Sequence, residues 1–64
     1  MEKMIHEYEI ARALLLTRIH EINQILHEQK LMTQERELLE HRREVLTIES
    51  VDLLHGIIEM RRHV

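Results

Sequence analysis

Apolar residues recur at intervals of three and four along two stretches of the chain, and the pattern lapses between them at Lys30-Leu31-Met32-Thr33-Gln34. The first stripe is Met1, Ile5, Tyr8, Leu15, Ile19, Ile22 and Leu26, flanked by Met4, Ala11 and Ile25. The second is Leu38, Leu39, Val45, Leu46, Leu53, Ile57, Met60 and Val64. Such spacing places a stripe on one face of an α-helix. The pattern predicts one helix over about 2–29, a turn over about 30–33 and a second helix over about 34–63.

Charge placement supports the break. Thr33 is a residue type favoured at helix N-caps, and Glu35 and Glu37 follow where acidic groups complement the helix dipole. The second segment closes on Arg61, Arg62 and His63, the sign preferred beside terminal carbonyls. The first segment repeats this polarity, with Glu2 and Glu7 early and His27 and Lys30 late. One uninterrupted helix needs only one such gradient.

The alternative is a long continuous coiled coil. Met4, Ala11, Ile25, Met32, Leu39, Leu46, Leu53 and Met60 share one heptad position, interrupted by Arg18, along a rod of about 95 Å. The companion positions run through Gln29, Arg36, Arg43 and Ser50. Consecutive polar layers of that kind are costly when each faces its own copy in a parallel dimer. An all-α antiparallel two-helix hairpin is therefore the expected fold.

Both predicted helices carry more apolar residues than one seam uses. Helix 1 adds Ile10, Leu14 and Leu16; helix 2 adds Ile48, Val51, Leu54 and Ile58. In an antiparallel hairpin these two sets fall toward the end away from the turn. A helix that is apolar on two sides calls for a further partner. Dimerisation of the hairpin into a four-helix bundle through these residues is the expected outcome.

Composition sharpens this picture. The chain has 64 residues, with no cysteine or proline and a single glycine and tyrosine, and 33% of its residues are charged. A domain of this size buries little surface and ordinarily needs a staple or a partner; without cysteine, disulfides are not available. The palette favours helix over sheet. The longest unbroken apolar run, Ala13 to Leu16, is far short of the roughly 20 residues that span a bilayer. No signal-peptide pattern opens the chain, so a cytoplasmic location without membrane association is expected.

Candidate chemistry is sparse. His6, His20, His27, His41 and His55 share one heptad position away from the main stripes, and no pair stands at the i, i+4 spacing of a tight metal site. They read as solvated rings, and no metal or cofactor is expected. Arg12 and Arg18 interrupt the apolar series of helix 1 and read as boundary positions whose stems lie along the core edge; the alternative is a register-fixing ion pair with Glu9, Glu21, Glu49 or Asp52. Arg36, Arg42 and Arg43 form a candidate polyanion patch. Glu35, Glu37, Glu40 and Glu44 interleave with it, and i, i+4 pairing such as Arg36 with Glu40 would make this a charge-laced outer face. Gly56, inside helix 2, suggests a close helix crossing at the open end.

No motif presents a nucleophile, a phosphate loop or a ligand cage, so an enzyme is not expected. The sequence reads as a small non-catalytic protein-interaction or regulatory protein acting as a homo-oligomeric α-helical hairpin. Its expected partners are a second copy and another protein. The alternative is a nucleic-acid-binding helical bundle using Arg36, Arg42 and Arg43.

Overall fold

A computed structural model of the chain describes residues 2–63. Met1 and Val64, assigned above to the two apolar stripes, lie outside the described residues. Helix α1 spans Glu2–Glu28 and helix α2 spans Thr33–Arg62. The two pack against each other as an antiparallel hairpin measuring 48 × 14 × 12 Å. That is about half the length of a continuous rod, which the structure does not adopt.

The turn is short and contains neither glycine nor proline. Helix α1 closes with the Gln29 amide donating to the Ile25 carbonyl at 3.0 Å. Helix α2 opens from Met32, whose extended backbone (φ −67°, ψ 154°) makes it the N-cap in place of the expected Thr33. Thr33 is already helical. The Glu35 carboxylate reaches back to accept from the Met32 amide at 3.3 Å, so the capping group comes from the third helical residue.

The helices meet along two regular seams. In α1 the hairpin-facing residues are Ile5, Tyr8, Arg12, Leu15, Ile19, Ile22 and Leu26, all buried or half-buried. In α2 they are Arg36, Leu39, Arg43, Leu46, Ser50, Leu53, Ile57 and Met60, likewise buried or half-buried. Each series alternates steps of three and four, as knobs-into-holes packing requires. The α1 stripe read from sequence is this seam with Arg12 inserted.

The α2 stripe needs correction. Leu38 and Val45 are exposed, at 66% and 40%, and Arg36, Arg43 and Ser50 occupy the seam instead. The run Leu39, Leu46, Leu53 and Met60 selects the face, and the steps of three and four around it bring the two arginines and the serine with it.

The two seams are out of phase across the turn. Continuing the α1 heptad frame through residues 29–32 would put Glu40 and Thr47 in the α2 seam. A straight helix therefore cannot present both favourable faces to one partner, whereas a turn lets each helix choose its own.

Candidate interaction surface

Polar residues inside the hairpin find partners across it. Arg43 donates from Nη1 to Asn23 Oδ1 at 2.8 Å, and Arg12 donates from Nε to the Ser50 carbonyl at 3.3 Å. Ser50 is buried and donates its hydroxyl to the Thr47 carbonyl at 2.8 Å. Arg36 donates from Nη2 to the Leu26 carbonyl at 3.2 Å. Near the open end, Arg61 forms an ion pair with Glu9. Among the described residues no buried side-chain nitrogen or oxygen lacks a partner.

These contacts revise the reading of the arginines. Arg12 bonds to a backbone carbonyl of α2 and not to one of the candidate carboxylates. Arg36 and Arg43 turn inward to α1, away from the outer i, i+4 lattice with Glu40. Of the candidate polyanion patch only Arg42 stays exposed, in a groove with Arg18, Glu21, Ile22, Ile25 and Leu39. Arg18 is exposed as well.

With hairpin-facing residues written as heptad positions a and d, the flanking positions e and g define two broad faces. In an antiparallel pair e flanks e and g flanks g, as the Glu9–Arg61 pair illustrates. Leu16 and Leu54 are e residues, and Val51 and Ile58 occupy the adjoining b position. Together with Ala13 and Thr47 they form one face, whose groove is lined by Leu54, Ile57 and Ile58 between Glu9, Arg12 and Arg61. Leu16, Val51 and Ile58 are 41%, 43% and 42% exposed, and Leu54 is half-buried.

The other expected contact residues lie elsewhere. Leu14 sits on the opposite face, in a groove with Ala11, Arg18, Glu21, Glu49 and Leu53. Ile10 and Ile48 stand at the f position, on the backs of their helices and farthest from the seam. The structure therefore brings together Leu16, Val51, Leu54 and Ile58 and separates Ile10, Leu14 and Ile48 from them. Sequence reading missed Ala13, Thr47, Glu44 and Arg61 as members or borders of the Leu54 face. The signal was available: Glu44, Thr47, Val51, Leu54, Ile58 and Arg61 follow their own alternation of three and four.

The histidines divide in the same way. His6, His20 and His27 take position b of α1 and His41 and His55 position f of α2, so their shared count in sequence does not become a shared face. All are exposed, and His63 Nε2 lies 3.9 Å from Glu59 Oε2. Among the described residues no group of three or more His, Cys, Asp or Glu could hold a metal ion. Among the described residues no helix is long and apolar enough to cross a membrane. Gly56 faces Tyr8: a Cβ there would lie 3.0 Å from Tyr8 Cε2.

Comparison with protein-family models, with curated proteins and with solved structures yields no match for this chain.

Proposed function

We propose that this chain is a small non-catalytic interaction protein of the regulatory kind, whose working form is a homodimer of the hairpin assembled as a four-helix bundle. The observation that carries this reading is how little one hairpin buries. Among the described residues only Ile5, Ile22, Leu26 and Ile57 are buried apolar residues, and none of the large side chains falls below 2% exposure. Ile10, Leu14, Leu16, Ile48, Val51 and Ile58 are meanwhile 41% to 65% exposed. Four buried aliphatic side chains are a small hydrophobic term against the ordering of two long helices. A permanent apolar partner supplies what the single chain lacks, and a second copy is always at hand. Once paired, the bundle presents its outer faces to another protein.

The nucleic-acid reading has less to support it. Two of the three arginines it relies on are engaged within the hairpin, and the formal net charge is −3.

Sedimentation equilibrium over a hundredfold concentration range tests the proposal. A dimer whose melting temperature rises with concentration is the expected result. A fully helical monomer at every concentration overturns it. Salt-sensitive retention of RNA or DNA would favour the alternative.

A further inference from the structure

The pattern of charged and apolar residues selects one face and one direction for self-association, a choice that rests on the homodimer reading. We propose that two copies join through the Leu54 face about a two-fold axis perpendicular to the helices, so that α2 of one runs antiparallel to α2 of the other.

The seam of α2 on that face is Glu44, Thr47, Val51, Leu54, Ile58 and Arg61. It is apolar in the middle, acidic at one end and basic at the other. A seam of that form complements a copy of itself only when the copy is reversed. Reversal sets Glu44 against Arg61 of the second copy, Thr47 against its Ile58 and Val51 against its Leu54. Symmetry then makes each pairing twice.

Helix α1 obeys the same rule. Its seam on this face includes Glu9, Ala13, Leu16 and His20. Reversal about its centre sets Ala13 against Leu16 of the second copy and Glu9 against its His20. The small alanine gives the leucine room. The centres of the two seams lie midway between Ala13 and Leu16 and midway between Val51 and Leu54. Within one hairpin Arg12 reaches Ser50 and Glu9 reaches Arg61, so both centres stand at nearly the same height. One axis serves both helices.

The competing arrangements fit less well. An axis along the bundle would stack α1 on α2 and lay Ile58 over Glu9, an apolar side chain on a carboxylate. The opposite face of the hairpin is broken by Arg18, Glu21, Arg42, Glu49 and Asp52. The Leu54 face alone has an uncharged centre.

Charge reversal tests this geometry by sedimentation equilibrium. Glu44→Arg and Arg61→Glu are each expected to raise the dimer Kd about tenfold, because each homodimer then carries two like-charged contacts. An equimolar mixture of the two variants restores association, since the mixed pair has opposite charges at both ends. Arg61→Glu also disturbs Glu9 within its own hairpin, but mixing does not repair that loss, so recovery reports the contact between copies. If pairing and folding are coupled, helicity lost in each variant returns on mixing. A wild-type dimer whose variants gain nothing on mixing overturns the geometry and leaves self-association standing. A wild-type monomer overturns both.

Discussion

Arg36 Nη2 donates to the Leu26 carbonyl at 3.2 Å, linking the first turn of α2 to the last turn of α1. The final carbonyls of a helix have no partner in their own ladder, and a C-terminal glycine commonly resolves this by turning the chain back on itself. Residues 29–32 contain no glycine, and no described residue outside glycine has a positive φ. A cation from the next helix closes the end instead. The guanidinium satisfies an orphan acceptor and brings positive charge to the negative end of the α1 dipole.

Arg36→Met keeps most of the stem packing and removes the donor. It is expected to cost about 1–2 kcal/mol in chemical unfolding, the range of a partly exposed charge-assisted hydrogen bond. Arg42→Met, on the exposed neighbour outside the seam, is expected to stay within about 0.5 kcal/mol. Equal effects at the two positions would remove Arg36 from its role at the turn.

Gly56 and Tyr8 form a second such pair. A Cβ at position 56 would meet the Tyr8 ring at 3.0 and 3.4 Å, so the ring fills the space a side chain would take. Gly56→Leu is expected to destabilise the hairpin by about 1–3 kcal/mol through overpacking, despite better helix propensity. In a Tyr8→Ala background that penalty should shrink or reverse. A double-mutant cycle of thermal melts reads the coupling, and strict additivity would mean that the ring is not the obstacle.

The hairpin itself was legible because two features agree: the apolar stripes lapse at residues 30–34, and charge polarity repeats on either side. The α1 seam followed directly from Ile5, Tyr8, Leu15, Ile19, Ile22 and Leu26. The α2 seam did not, because counting apolar residues favours Leu38 and Val45 over Arg43 and Ser50. A polar residue can occupy a packed position when one specific acceptor awaits it, and Asn23 cannot be recognised as that acceptor before the register is known. The surface residues were harder still. Ile10, Leu14 and Leu16 look like one cluster in sequence, yet the step of two from Leu14 to Leu16 puts Leu16 on the other side of the helix from Ile10 and Leu14. Only the a and d frame fixed by packing tells them apart.

The polar seam residues suggest a trade between stability and uniqueness. Arg43→Met combined with Ser50→Ala would make the α2 seam apolar from Leu39 to Met60. Replacing buried polar groups with apolar ones of similar size is often neutral or stabilising, while polar seam residues restrict register and partner number. The double variant is expected to melt higher and to populate several oligomeric states in light scattering. A single sharp species with unchanged mass would show that apolar packing alone sets the arrangement.

Distances between spin labels separate the ways two hairpins can meet. In the reversed arrangement the two-fold axis crosses α1 midway between Ala13 and Leu16, and Lys3 lies about 17 Å from that level at 1.5 Å per residue. A single label introduced by Lys3→Cys should therefore give a separation between copies of about 35 Å along the bundle. By the same rise, a label from Glu28→Cys, in the last turn of α1, should give about 40 Å. A label from Thr17→Cys should give a far shorter one, because the axis passes close by. The separation grows with distance from the centre only if the copies run in opposite directions. Short separations of similar size at all of these positions would instead describe two copies side by side with their turns at the same end.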